Sequence, residues 1–360
     1  MTMTAQKTAM ALASGLFLAT SAFAQTAPDF TIYGRMDLGL ESYNNGQFNR
    51  TMVNNFASRF GVKGERAFSP DLSGVFQVET GIAPDDVANS KNFANRNSFV
   101  GLKSSSMGTV LIGTYDTPLK SLDAGGYAGT LYGEGEAMEI VIHGKGTLAT
   151  VGSSTFTNVH TRALNNMVYI SPKFSDFVAK VSYATDEQAS LTATTNQPLY
   201  SASIEWNNGR MNAGVATQTK LVSDKLFAMT ATKLTFGATM GNFSGAIVIS
   251  SLDNQAPLAA NARKTSNALV VLNYVDGPMT YKFNTGMSGE SAANAQDDLQ
   301  MYALEAAYAL DKKTTLYAGA AQILTGAKGK ATFVAADGLQ DVATAGADPT
   351  ALTFGIRYNF

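Results

Sequence analysis

The sequence predicts an all-β protein, a transmembrane antiparallel β-barrel of about sixteen strands, on three observations. A period of two recurs along the chain, and the connections between the periodic stretches alternate short and long. The composition is 45% hydrophobic and only 15% charged, yet after the first few dozen positions no run of ~18 apolar residues occurs to make a transmembrane helix. The closing stretch shows the period best. Leu352, Phe354, Ile356, Tyr358 and Phe360 fall on one side of an extended strand, and Thr353, Gly355, Arg357 and Asn359 on the other. A single strand of this kind suits a soluble sandwich equally well, so repetition and connection length carry the argument.

Residues 1–24 read as a Sec signal peptide. Lys7 supplies the positive start, Ala9 to Ala19 the short apolar core, and Ala22-Phe23-Ala24 the small-x-small cleavage site. Residues 25–360 are then expected to form one barrel domain. Without Lys7 the chain carries 25 basic against 28 acidic residues, a net charge of −3, which does not point to nucleic acid. With no cysteine there is no disulfide, and rigidity must come from backbone pairing.

The first strand is Phe30 to Leu40, with Phe30, Ile32, Met36, Leu38 and Leu40 opposite Thr31, Tyr33, Arg35 and Asp37. A polar, Asn-rich loop is expected over Glu41 to Ala57. Arg59, Lys63 and Glu65 then share a face opposite Phe60 and Val62, and Leu72 to Gly81 returns with Gln77 and Glu79 on the polar face. Further strands follow near Arg96–Lys103, Thr109–Thr114, Asn166–Ser171, Phe177–Tyr183, Leu199–Trp206, Arg210–Thr217, Leu226–Thr239, Phe243–Ser251, Ser266–Tyr274, Met279–Gly286, Leu299–Ala309 and Thr314–Ile323. Leu226–Thr239 is the poorest of them, because Phe227, Met229 and Lys233 share a face.

Short connections such as Asn207–Gly209, Met240–Asn242 and Val275–Pro278 contain Gly, Pro, Asn or Asp, the residues of tight turns. Long ones, such as Ile82–Ala94, Asp116–Asn165 and Leu324–Ala351, alternate with them. Turns on one rim and loops on the other are the product of an even-numbered outer-membrane barrel. Closure has a physical cause, since an unpaired backbone group in lipid costs several kcal/mol and an open sheet has a row of them. A charge on the lipid side at mid-depth costs roughly 2–4 kcal/mol. Arg35, Asp37, Arg59, Lys63, Glu79, Lys282 and Arg357 accordingly lie opposite the larger apolar residues, while the face of Glu305 is less clear because Met301 shares it.

Asp116–Asn165 is far longer than an ordinary connection. It holds Glu134, Glu136 and Glu139 and both histidines, His143 and His160. A loop of this length needs something to pack on, and an aqueous lumen offers it. Loop carboxylates facing basic wall side chains across a gap comparable to the ~8 Å Debye length would keep a largely unscreened field between them. The histidines are seventeen residues apart without cysteine and with Glu139 the only acid close to either, a poor metal site. No cofactor is implied, and nucleophilic catalysis has little partnered base to draw on.

Several stretches resemble the general diffusion porins of the Gram-negative outer membrane. They are Thr31-Ile-Tyr-Gly-Arg-Met-Asp-Leu-Gly-Leu40, Ser58-Arg-Phe-Gly-Val-Lys-Gly-Glu65, Asn95-Arg-Asn-Ser-Phe-Val-Gly-Leu102, Gly108-Thr-Val-Leu-Ile-Gly113, Val168-Tyr-Ile-Ser-Pro172 and the terminal Phe360. The resemblance implies a homotrimer of sixteen-stranded barrels in membrane lipid, with the third extracellular loop folded into the lumen as an eyelet that passes ions and small hydrophilic solutes. It places the family's basic ladder at Arg35, Arg59, Arg96 and Arg162, with Lys63 on the face of Arg59, and an acidic position at Glu79. The family's Pro-Glu-Phe-Gly-Gly turn is absent from the loop, where Gly133-Glu-Gly-Glu136 is the nearest substitute and would supply Glu134 and Glu136. A closed barrel serving as an adhesin or structural surface protein, and a substrate-selective channel, stand beside the open pore as alternatives.

Overall fold

A computed structural model describes residues 29–85, 92–123, 126, 131–133, 161–185, 198–222, 227–253, 264–291, 296–333 and 344–360. In chain order the strands are β1 (Asp29–Asn44), β2 (Asn49–Asn55), β3 (Arg59–Ala67), β4 (Leu72–Gly81), β5 (Ser98–Ser104), β6 (Gly108–Asp116), β7 (Arg162–Ile170), β8 (Phe177–Ala184) and β9 (Leu199–Asn207). They continue with β10 (Met211–Val222), β11 (Phe227–Met240), β12 (Phe243–Asp253), β13 (Lys264–Asp276), β14 (Met279–Ser288), β15 (Leu299–Ala309), β16 (Thr314–Thr325) and β17 (Thr350–Asn359). Each is antiparallel to its neighbours. Because β1 also pairs with β17, from Arg35 opposite Asn359 to Asn44 opposite Thr350, the sheet closes on itself without an edge.

The seventeen strand elements make a sixteen-stranded barrel, since β2 and β3 are one strand broken by a bulge. β1 pairs with both, Leu38 opposite Asn55 and Arg35 opposite Arg59, so Met36 and Asp37 face the three residues Phe56, Ala57 and Ser58. The extra residue is absorbed by Ala57 at φ 62°. Ser58 Oγ fills the gap by accepting the Asp37 N–H at 2.9 Å.

The stretch Glu41–Ala57, expected as a loop, is instead the end of β1, a tight turn and β2. Its asparagines divide between two jobs. Asn44 and Asn45 accept backbone N–H groups of Gly46, Gln47 and Phe48 and so close the turn. Asn54 lies within the strand and donates to Glu41 Oε1 at 2.9 Å in the interior. Polar composition misleads here because a barrel strand has a polar face of its own. β10 likewise runs on to Val222, five residues past its expected end at Thr217.

The outward face is apolar and open, with Ile32, Val100 and Leu304 at 55%, 63% and 62% exposure. Some of its aromatics cluster at the rims. Phe243, Tyr274 and Tyr281 stand side by side at the short-turn rim, with ring centroids 4.6 and 6.5 Å apart, and Tyr183 meets Tyr200 at 5.2 Å on the long-loop rim. The short turns are closed by side chains. Asn208 Oδ1 accepts Arg210 and Met211 N–H, and Asp311 Oδ1 accepts Lys313 and Thr314 N–H. These donors hold the Asp311 carboxyl below its ordinary pKa. Asp71 goes further, taking the hydroxyls of Ser104, Ser105 and Ser106 from the next turn, and its carboxyl is pushed well below the usual range.

The chain end completes the closure. Gly34 and Phe360 exchange backbone hydrogen bonds at 3.1 Å. A Cβ at Gly34 would lie 2.3 Å from the Phe360 ring, so the terminal aromatic seats only on a glycine.

Candidate functional site

The inward face carries the chemistry. Alternation puts Arg35 and Asp37 of β1, Arg59 and Lys63 of β3, Glu79 of β4, Lys180 of β8, Lys282 of β14, Glu305 of β15 and Arg357 of β17 on one surface of the closed sheet. The doubtful Glu305 is thereby inside. Met301 is inside with it, packed in an apolar cluster rather than against water.

Along β1 to β9 these side chains form linked ion pairs. Arg35 and Arg59 are direct cross-strand partners, two like charges side by side. Glu79 relieves the crowding: it accepts Arg96 Nε at 2.5 Å and the Tyr33 hydroxyl at 2.9 Å and lies 3.9 Å from Arg59 Nε. Arg96 sits just before β5 rather than on it, fixed by its own N–H to Glu79 O. Lys63 lies exposed beneath, its Nζ 5.2 Å from the Tyr33 ring centre. Arg162 opens β7, donates from Nε to Asn97 Oδ1 at 2.8 Å, and contacts Asp116 at 3.2 Å. Lys120 meets the same Asp116 at 3.1 Å, and Lys180 meets Glu205 at 2.7 Å. Arg59, Arg96, Arg162 and Lys180 each keep about a fifth of their side-chain surface open to the interior.

The long insertion between β6 and β7 begins at Asp116 and immediately turns along this wall. α1 (Pro118–Ser121) is a single turn, capped by Thr117 Oγ1, which accepts Lys120 N–H at 3.2 Å, with Pro118 at the first position. Leu119 and Leu122 pack on Ala216, Met229, Ala231 and Leu252 of β10 to β12. Gly214 makes room for Leu122, since a Cβ there would lie 2.4 Å from its methyl. The described piece 131–133 touches the opposite wall. Tyr132 donates its N–H to Glu305 Oε2 at 2.7 Å, and its ring lies 3.4 Å from Lys282 Nζ and 4.0 Å from the Arg357 guanidinium.

The arc β14 to β17 thus holds its charges dry. Lys282 and Glu305 pair at 2.9 Å with 5% and 1% of their side chains exposed. Arg357 pairs with the fully buried Asp37, which also accepts the Tyr317 hydroxyl at 2.9 Å. Gly355 lets the Tyr317 ring lie flat, as Gly61 does for Tyr33.

Of the expected site residues, the structure brings Arg35, Arg59, Glu79 and Arg96 into one network and Arg162 into a second beside it. Glu134 and Glu136, with Glu139, His143, His160 and the 1–24 leader, lie outside the described residues. Sequence reasoning missed Asp116, Glu205 and Tyr132. Glu205 shares the inward parity of Ser201 and Ser203 and was open to detection, whereas Asp116 has the parity of the outward Val110 and Ile112 and joins the inner network only past the irregularity between Gly113 and Tyr115. Tyr132 had no periodic signal at all. Among the described residues no group of three or more His, Cys, Asp or Glu is arranged to hold a metal.

A family model described as Gram-negative porin matches residues 8–328. The major outer membrane protein P.IB of Neisseria gonorrhoeae is 28% identical over 202 residues, which is 54% of this chain and 52% of that protein. P.IB of Neisseria lactamica is 26% identical over 170 residues, 45% of this chain and 46% of that one. The chain spans about half the length of the curated relatives it matches. Among solved structures, an anion-selective porin from Comamonas acidovorans superposes with TM-score 0.79 at 20% identity, over 93% of this chain and 100% of that one. The trimer form of OmpT from Vibrio cholerae gives 0.65 at 15%, over 93% and 100%, and Salmonella typhi OmpF in complex with daunomycin 0.65 at 16%, over 92% and 98%. At such identities these superpositions speak for the fold.

Proposed function

The chain belongs to the Gram-negative porin family, and from that premise we propose that it is an outer-membrane, water-filled channel for passive diffusion of ions and small hydrophilic solutes. The observation that carries this reading is the linked row of partly open charged side chains on the inner wall of a barrel whose outer face is apolar.

Arg35, Arg59, Lys63, Glu79, Arg96 and Arg162 line the constriction on this reading, opposite the inward-folded insertion after β6 and its Glu134 and Glu136. Among the described wall residues of the arc, the open cations Arg35, Arg59, Lys63, Arg96, Lys103, Arg162 and Lys180 outnumber the open carboxylates Glu65, Asp116 and Glu205, Glu79 being buried, which favours anions. The solved relative named as anion-selective has the same fold. The working form is a homotrimer of the chain 25–360 after signal-peptide removal, in line with the trimeric relative.

Conductance in a planar bilayer tests the reading. The protein inserts with steps in multiples of three, and persistent silence favours a closed surface barrel. In a salt gradient, Arg35→Ala, Arg59→Ala and Arg96→Ala each shift the reversal potential toward cations. An unchanged potential in all three removes them from the constriction.

A further inference from the structure

Two hairpin turns at opposite ends of the barrel share one local sequence and one hydrogen-bond pattern. Asn44-Asn45-Gly46-Gln47 leads from β1 to β2, and Asn207-Asn208-Gly209-Arg210 leads from β9 to β10. In each, the second asparagine donates its backbone N–H to the carbonyl three residues on, Asn45 to Phe48 and Asn208 to Met211. Its Oδ1 accepts two backbone N–H groups, those of Gln47 and Phe48 at 2.9 and 3.1 Å in the first turn and those of Arg210 and Met211 at 3.0 and 2.8 Å in the second. The glycine N–H donates to Oδ1 of the first asparagine, and both glycines stand at left-handed φ, 87° and 88°.

This pattern sets up an intramolecular reaction. The glycine nitrogen can attack Cγ of the asparagine before it, because glycine has no Cβ to hinder the approach and the two groups are tethered in one turn. Negative charge then develops on Oδ1, at which two backbone N–H groups already point. The N–Cγ bond forms, the Cγ–Nδ2 bond breaks, and Nδ2 leaves as ammonia with the proton given up by the glycine nitrogen. Water adds to either carbonyl of the resulting succinimide and opens it to aspartate or isoaspartate. Nothing is oxidised or reduced.

The surroundings separate the two turns. Asn45 is 1% exposed, and a Cβ on Gly46 would lie 2.7 Å from the Ala347 Cβ, so this turn is packed against the segment that leads into β17. Asn208 and Gly209 are exposed, and a Cβ on Gly209 would meet nothing within 4 Å. We propose that Asn208–Gly209 is a site of spontaneous deamidation in the folded protein, and that Asn45–Gly46 is its protected counterpart. Ring closure turns the asparagine out of its hairpin geometry and requires water at the departing nitrogen. A turn open at the rim supplies both through a small local opening, and a packed, buried one supplies neither. The product puts a carboxylate beside Arg210, and its isoaspartate form lengthens the main chain by a methylene next to the Asn207–Asn212 pair that starts the β9–β10 ladder.

Peptide mass spectrometry with isoaspartate detection measures both sites in one sample. The folded protein in vesicles is held in warm, mildly alkaline buffer, and aspartate plus isoaspartate are followed at 208 and at 45. The expected result is conversion at least about ten-fold faster at 208, because only that turn opens cheaply. In urea the two sites are expected to convert at similar rates, since both are Asn-Gly preceded by Asn. Gly209→Ala, which has space for its methyl, is expected to suppress conversion at 208 in the folded protein and in urea alike, so a loosened turn in that variant does not hide the result. Equal rates at 45 and 208 in the folded protein overturn the inference. So does a folded protein that stays intact at 208 while the urea-unfolded chain converts, a preference for 208 that persists unchanged in urea, or conversion at 208 that Gly209→Ala leaves as it was.

Discussion

Two ion pairs on the inner wall, Lys180–Glu205 at 2.7 Å and Lys282–Glu305 at 2.9 Å, have nearly the same geometry and opposite surroundings. The first lies on the arc from β1 to β9, where about a fifth of each side chain stays open. The second lies between β14 and β15, roofed by Tyr132 and almost fully enclosed. The strand period is the same in both places. What differs is whether a loop lies on top, so inward orientation and wetness are separate properties of this barrel.

The largest effect expected from that contrast is on stability. Glu305→Ala removes the carboxylate from a buried ammonium and also the acceptor of Tyr132 N–H, and is expected to cost about 3–5 kcal/mol. Glu205→Ala leaves Lys180 free to hydrate and is expected to cost below about 1 kcal/mol. Urea unfolding midpoints of the folded protein in vesicles compare the two, and equal losses would mean that the β14–β15 pair is as wet as the other.

The glycine seats sharpen the comparison at smaller scale. A Cβ at Gly355 would come within 2.1 Å of the Tyr317 ring, which is enclosed and bonded to Asp37. One at Gly61 would come within 2.5 Å of Tyr33, which borders the open side. Gly355→Ala is expected to cost about 1–3 kcal/mol through overpacking. Gly61→Ala is expected to cost less, because Tyr33 can swing into the lumen, and the same unfolding midpoints check it. Its signature is a change in conductance that Gly355→Ala lacks.

The smallest effect lies on the rim, outside both arcs. The folded Asp71 carboxyl has a lowered pKa because serine hydroxyls and a backbone N–H of the neighbouring turn donate to it. Its stabilisation is therefore present above the ordinary carboxylate value near ~4 and is lost as pH falls through the lower folded value. Asp71→Asn is expected to flatten the acid limb of the stability-against-pH curve without altering it at neutral pH by more than the loss of one turn contact. An acid limb identical to the parent's would remove Asp71 from that role.

Much of the barrel was legible because a period of two is a local property. Every expected strand appears, including Leu226–Thr239, where Met229 and Lys233 do share the inward face. The inward orientation of Arg35 and Arg59 was legible too, since strand parity fixes their side of the sheet, whereas Arg96 precedes β5 and is held by its N–H to Glu79 O. The hairpin at residues 41–57 was not, because its asparagines read the same in a turn as on an inward strand face. Glu305 was ambiguous for a related reason: Met301, two strand steps away, shares its face, and nothing local says that an inward methionine will be covered by Leu131 and Phe333.

The amino-acid sequence by itself determined that the chain forms a closed antiparallel sheet, and which side chains face in, because backbone pairing and side-chain parity depend on neighbours along a strand. It also determined where the turns fall, through residues that bond their own backbone. Only the tertiary structure decided which inward charges meet water and which are sealed. That outcome depends on where the described residues after β6 and after β16, such as Leu131, Tyr132 and Phe333, come to rest, and packing of aperiodic segments is fixed by contacts far apart in the chain.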